Sequence, residues 1–318
     1  MAERVVVDTV EAFVESVAGA GSLHSEALDA DVSASTLYRG QADESWGLLP
    51  SLYREGGWLF FHERTLIAEL MRVRPGEFSG MTRFDSIVKM QHYGLPTRLL
   101  DMTLNPLVAL YFACHEEDKH HLDGVVSALS LMPVLWQENY AVRLIMEYIF
   151  EHAGPKVDFD RFVHAALMDP LVSTAWSDEA RLREVALHYL TEVPAMAVRP
   201  SLANSRIADQ DGAFLLFGMR LKRESVSTNP GTIGRTYLEL APFTASDPPH
   251  QLWHHTSEYL VPAKSKYQIL KQLSKLGINR RRMFPELEYQ ARYVRDSVAR
   301  QVEEGVLRNP MLEEHPEP

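Results

Sequence analysis

One cysteine, Cys114, stands in 318 residues. A lone thiol excludes an internal disulfide and leaves no thiolate set for a metal, and its apolar setting marks it as a small core residue. No run of about 18 apolar residues is present, so no membrane span is expected. The start, MAERVVVDTVEAF, is broken by Glu3 and Asp8 and lacks the apolar stretch of a signal peptide, which makes a cytoplasmic location the expectation. Basic residues are outnumbered, 32 against 43 acidic ones, and a formal net charge of −11 argues against broad binding to nucleic acid, which needs many phosphates neutralised. There is no Walker A loop, no G-x-G-x-x-G and no G-x-S-x-G, which removes the two familiar glycine-rich phosphate cradles and the serine-hydrolase elbow. His115 and His120 bracket an acidic run, but on a helix they point about 140° apart and cannot share one ion. His254 and His255 would face opposite sides of a strand. No metal site is expected.

What is present is a soluble composition, 46% hydrophobic and 24% charged, on a chain long enough for one large domain or two smaller ones. Its densest signal is QHYGLPTRLLDMTLNPLVALYFA, from Gln91 to Ala113. Asn105 suits an N-cap and Pro106 a first helical turn, so a helix is expected to begin there. Leu107, Val108, Leu110, Tyr111 and Phe112 cover nearly all its faces, which predicts a buried helix. His92, Thr97, Arg98, Asp101 and Thr103 therefore crowd a buried helix N-terminus, where exposed N–H groups favour an anion. Equally open is a structural reading in which Arg98 pairs with Asp101 while Thr103 and Asn105 only cap the helix.

Along the chain, residues 1–30 read as a strand at Arg4 to Val7, a helix from Thr9 to Val17 and a turn at Gly19-Ala20-Gly21. Residues 31–132 hold the first part of a core. In it we expect a strand at Leu37 to Gln41, helices from Phe61 to Val73 and from Arg83 to Tyr93, the latter stopping at Gly94, and a strand at Gly124 to Met132. Residues 133–200 show helical periods over Val142 to Phe150, Asp160 to Leu167 and Asp178 to Tyr189, so a helical insertion is expected. Residues 201–306 return to strands, at Ala213 to Lys222 and Thr236 to Leu240, then to a helix capped by Ser265 and ending at Gly277, and another from Pro285 to Val302. Seven basic residues between Lys264 and Arg282 read as a solvated helix face or, alternatively, a phosphate-contacting patch. Residues 307–318 read as a disordered tail.

YRGQADESWGLLPSLYRE, from Tyr38 to Glu55, together with HYGLPTRLLDMTLNPLVALYFA, closely resembles the FRG domain, a family named for its (F/Y)RG motif. Asn204-Ser205-Arg206-Ile207 with Gln210, Gly212 and Phe214 is similar to that family's strand-forming segment, and Val261 to Glu288 to its closing segment. The FRG domain in turn resembles, distantly, the ADP-ribosyltransferase fold. The fold class implied is α+β, a mixed or antiparallel sheet core with flanking helices and a helical insertion.

That resemblance places Arg39 at the superfamily's first-strand arginine and Asp101-Met102-Thr103 where a Ser-Thr-Ser element would lie. Gln210 and Asp211 fall where a glutamate is expected. A glutamine there still hydrogen-bonds a ribose hydroxyl but carries no negative charge for an oxocarbenium-like centre, which leaves Asp211, Asp101, Glu286 and Glu288 as candidate carboxylates. The implied activity is NAD binding, with transfer of ADP-ribose to a protein or nucleic-acid acceptor or hydrolysis of NAD, as in a bacterial toxin or phage-defence effector. Arg39 would fork onto the pyrophosphate and Gly40 allow close backbone approach. Tyr38 or Tyr93 would stack on nicotinamide, His92 bond a ribose, Asp101 and Thr103 bond the nicotinamide ribose or amide, and Arg98 hold Asp101 or contact phosphate. The structural alternatives are a buried ion pair for Arg39 and helix-end carbonyls for His92. A rival reading is a non-catalytic module that recognises a nucleotide or a partner in a defence system, and a third is a nuclease-type toxin. The sequence does not specify an oligomeric state.

Overall fold

The computed structural model describes residues 3–19, 36–130, 134–154, 156–202, 204–227, 235–244 and 255–285. In chain order these form β1 (Glu3–Val6), α1 (Val10–Gly19), β2 (Thr36–Gln41), α2 (Glu63–Val73), α3 (Arg83–His92), β3 (Leu99–Thr103), α4 (Pro106–Cys114), β4 (Gly124–Ser130) and β5 (Leu135–Trp136). There follow α5 (Tyr140–Glu147), β6 (Lys156–Asp158), α6 (Phe159–Leu167), α7 (Pro170–Ala175), α8 (Glu179–Leu187), β7 (Ala195–Arg199) and α9 (Ser205–Asp209). The rest are β8 (Gly212–Phe217), β9 (Arg220–Ser227), β10 (Arg235–Ala241), β11 (His255–Val261), α10 (Lys266–Lys275) and α11 (Arg280–Met283). The fold is mixed α+β.

An eight-stranded sheet runs in the order β1-β11-β4-β2-β3-β8-β7-β5, and a three-stranded one in the order β6-β10-β9. The β1/β11 and β5/β7 pairs are parallel and the remaining pairs antiparallel. Strand alternation sends neighbouring residues to opposite faces: Leu37 and Leu129 join one apolar cluster, Tyr38, Val126 and Ala128 the other. The second cluster is built around α4, whose Val108, Ala109, Leu110, Ala113 and Cys114 are wholly buried. α4 lies so close to the sheet that a Cβ on Gly40 would stand 1.7 Å from the Ala109 carbonyl oxygen, and one on Gly124 2.4 Å from that of Ala113. α10 closes over α4 and is pinned by Lys266, whose buried Nζ donates to the carbonyls of Ala42 (2.6 Å) and Lys119 (3.0 Å).

Several expectations are met and several are not. Asn105 caps α4, its Oδ1 accepting from the Leu107 N–H at 3.0 Å, and Gly94 follows α3 with φ +89°. Of the segment expected to form a strand, Gly212 and Phe214 lie in β8, whereas Asn204 to Ile207 do not: the Asn204 side chain caps α9 by accepting from the Arg206 N–H at 2.9 Å, and that local bond starts a helical turn. Ala213 to Lys222 is two strands, because Gly218 and Met219 turn the chain between them. Ser265 does not cap α10 with its side chain, since the 3-10 turn Ala263–Ser265 runs straight into the helix. The 133–200 segment carries α5 to α8, yet it also lends β5 and β7 to the main sheet and β6 to the smaller one. Its Ala141, Leu144, Phe162 and Leu182 sit in the same cluster as Leu99 and Phe217, so its apolar faces are buried against the sheet. Ala20, His254, the helix expected from Pro285 onward and the tail lie outside the described residues, apart from Pro285 itself.

Candidate functional site

β2 pairs with β4 along its full length and β3 likewise with β8, but between β2 and β3 only Tyr38 and Thr103 are paired. Beyond that pair the sheet opens. A cavity of about 280 Å³ fills the gap, floored by Arg39 to Gln41 on one side and Asp101 to Thr103 on the other. The end of α3 (Val88, Gln91, His92), α4 with the residues after it (Val108, Phe112, His115, Glu116), and the α9–β8 connection (Arg206, Gln210, Gly212) form its walls.

Arg39 and Gln41 lie two apart on β2 and so share a face. The Arg39 guanidinium reaches across the gap and donates through one terminal nitrogen to the Asp101 carbonyl. Its Nε is buried without a partner, and among the described residues it forms no ion pair. Burial pulls its pKa below the ordinary arginine value and the charge of Arg54 adds to this, while the Asp101 carboxylate opposes it. Gln41 is 3% exposed; its Nε2 donates to the carbonyls of Trp46 (3.3 Å) and Gly47 (3.4 Å), and its buried Oε1 has no partner. Buried polar atoms normally find partners, so an orphaned donor and an orphaned acceptor on one strand face at a cavity indicate a ligand that supplies both.

Asp101 is held by a relay. The Ser51 hydroxyl accepts from the Thr97 N–H (3.2 Å), the Thr97 hydroxyl donates to Gln91 Oε1, and Gln91 Nε2 donates to Asp101 Oδ1 (2.7 Å). Thr103 is spent on structure: its hydroxyl donates to the Gln210 carbonyl (2.7 Å) and accepts from the Asn105 N–H (3.0 Å). Gln210 lines the cavity, but its Nε2 donates to the Met283 carbonyl (2.8 Å). Asp211 takes a left-handed backbone, φ +47°, which its carbonyl and carboxylate stabilise by accepting from the Leu104 N–H (2.9 Å) and Asn105 Nδ2 (3.0 Å).

Of the residues singled out in the sequence, Tyr38, Arg39, Gly40, His92, Asp101, Thr103 and Gln210 therefore surround one cavity. Asp211 stands behind it as a brace. Arg98 is elsewhere: fully buried, it pairs through Nε (2.8 Å) and a terminal nitrogen with both oxygens of Glu63, which is 3% exposed. It neither holds Asp101 nor faces the cavity, because strand alternation turns it into the apolar cluster between Phe60 and Tyr148. Gly40 lines the cavity, and its missing Cβ also admits α4. Tyr93 is 74% exposed and does not line the cavity.

The sequence reading assigned no role to Gln41, Gln91, Trp46, His115, Glu116 or Arg206, all of which line the cavity. Gln41 was reachable, being two residues from Arg39. His115 follows α4 and places Nδ1 3.2 Å from the Phe112 carbonyl, which requires the proton on Nδ1 and leaves Nε2 as an acceptor in the neutral ring. Burial first, then Arg280, Arg206 and His120, pull its pKa below the ordinary histidine value, against the pull of that hydrogen bond. Glu116 is half-buried, and its carboxylate forms no hydrogen bond or ion pair among the described residues. Its pKa is raised by burial first and by Asp118 second, with Lys119 and Lys266 opposing.

Residues 34–122 match the FRG domain family, a stretch that carries Arg39, Gln41, Gln91, Asp101 and Glu116 and ends before Gln210. Searches of curated proteins and of solved structures give no match to the chain.

Proposed function

We propose that this chain, whose residues 34–122 are an FRG domain, binds NAD in the opening between β2 and β3 and acts as an ADP-ribosyltransferase-like enzyme. The reaction is transfer of ADP-ribose to a macromolecular acceptor or to water. The observation that carries the reading is Arg39, whose Nε is buried without a partner and which forms no ion pair among the described residues, at a cavity between two strands. A planar cation so placed suits a pyrophosphate, which offers paired anionic oxygens to a fork of donors. The Gln41 carbonyl oxygen, two residues on, is free to accept from a ribose hydroxyl. A cavity of about 280 Å³ is at the lower end of small-molecule sites, so it suits one half of a dinucleotide with the other half lying along the surface.

A second reading, recognition without catalysis, has one observation behind it. The Gln210 amide is committed to Met283 and the Asp211 carboxylate to Asn105, so neither is poised for a reacting sugar. Calorimetry with NAD, followed by chromatography for nicotinamide with and without protein and nucleic-acid acceptors, separates the two. Binding with release supports the enzyme and binding without release under every condition supports the recognition module. No heat of binding at millimolar NAD removes both as readings of this cavity for NAD.

A further inference from the structure

Among the described residues two carboxylates line the cavity, Asp101 and Glu116. Asp101 is engaged by Gln91 Nε2 at 2.7 Å and sits beside the Arg39 guanidinium, so its carboxylate is already committed to neighbours. Glu116 has the opposite surroundings. It follows the C-terminal end of α4, where helix carbonyls disfavour negative charge, it is half-buried, and among the described residues no donor engages it. A half-buried carboxylate on a cavity wall, with no donor holding it, is placed to accept a proton from a bound reactant; burial raises its pKa, which favours that role.

We infer that Glu116 is the general base of the site, accepting the proton of the group that attacks the ribose of bound NAD. This rests on the NAD reading above. With water as the attacking group, an O–H proton passes to the Glu116 carboxylate as the oxygen bonds to the ribose carbon that carries nicotinamide. The bond from that carbon to the ring nitrogen breaks and its electron pair stays on nicotinamide, which leaves neutral. The proton then passes from Glu116 to solvent. An acceptor hydroxyl takes the place of water in transfer. Asp101, fixed by its relay, would stabilise positive charge on the sugar rather than move a proton. The carboxylate missing at position 210 is thus supplied from the end of α4.

The test compares wild type, Glu116→Gln and Glu116→Asp for NAD binding by calorimetry and for nicotinamide release. Glu116→Gln keeps shape and removes basicity, so NAD affinity should stay within about twofold while release falls by roughly 10²- to 10⁴-fold. Glu116→Asp keeps a base one methylene short, so it should retain measurable release and shows that the position tolerates substitution. Release by Glu116→Gln at the wild-type rate overturns the inference and leaves the NAD reading standing. Loss of NAD binding in Glu116→Gln with unchanged thermal unfolding also overturns it, by making the residue a binding group. A wild type that fails to bind NAD sinks the underlying reading, and the inference with it.

Discussion

Arg39 and Arg98 both lie in the stretch that matches the FRG domain, and their partners decide what each does. Arg39 forms no ion pair among the described residues. Arg39→Lys replaces a fork with a point charge, so calorimetry should show NAD binding weaker by about 1.5–3 kcal/mol, with thermal unfolding nearly unchanged. Arg98 already has its anion in Glu63, and removing one partner strands a charge in the core. Arg98→Met should therefore cost about 3–5 kcal/mol in urea unfolding, and adding Glu63→Leu should recover most of that loss. Glu116 adds a pH signature. A base works when deprotonated, and burial raises the Glu116 pKa, so nicotinamide release should rise with pH and level off above that pKa. The facing groups that tune this limb are His115, Asp118, Lys119 and, from α10, Lys266, with Arg39 and Arg206 on the cavity wall. In Glu116→Gln the limb should vanish.

At the scale of elements, α4 and β2 fit through absent atoms. Gly40→Ala places a methyl inside the backbone of α4, where no flexible side chain can yield, so we expect a loss at or above the ~1–3 kcal/mol typical of overpacking, read as a lower urea midpoint. α4 was legible because its signals are local: Asn105 as cap, Pro106 in the first turn and an apolar run with no polar face. β3, β7 and β11 were not. Leu99 to Thr103 reads as a polar approach to a helix, and only its pairing with Phe214 and neighbouring residues of β8, more than a hundred positions away, makes it a strand. Arg98 was misplaced for the same reason, since strand register decides which side a residue faces. His115 and Glu116 were passed over as a polar helix end, and nothing local shows that this end abuts the cavity.

The whole molecule carries a formal charge of −11 at pH 7. Of the basic residues between 264 and 282, Lys266 is buried as a structural donor and the other six are exposed. Arg280 lies 3.9 Å from Glu117 and Lys271 stands over the Tyr267 ring, which fits a solvated helical surface. Fluorescence anisotropy with a labelled DNA duplex at about 0.15 M salt should show no nonspecific complex at micromolar protein. No helix among the described residues is long and apolar enough to cross a membrane. The mixed α+β architecture was implied by the family resemblance and agrees with the strands and helices read along the chain, whereas the sharing of one apolar cluster between residues 133–200 and the main sheet was not legible. Helical periodicity reports that a face is apolar without naming what it packs against.

The gap between β2 and β3 has a consequence on the time axis. Alternate amides of residues 39–41 and 100–102 point into it without a ladder partner, so solvent exchange there requires no neighbouring rungs to break. These amides should exchange at the fast end of the sheet's range, while those facing β4 and β8 stay slow. A ligand bridging the two strands would complete the missing rungs, and its occupancy would be written in the protection of a few amides before any change in global melting.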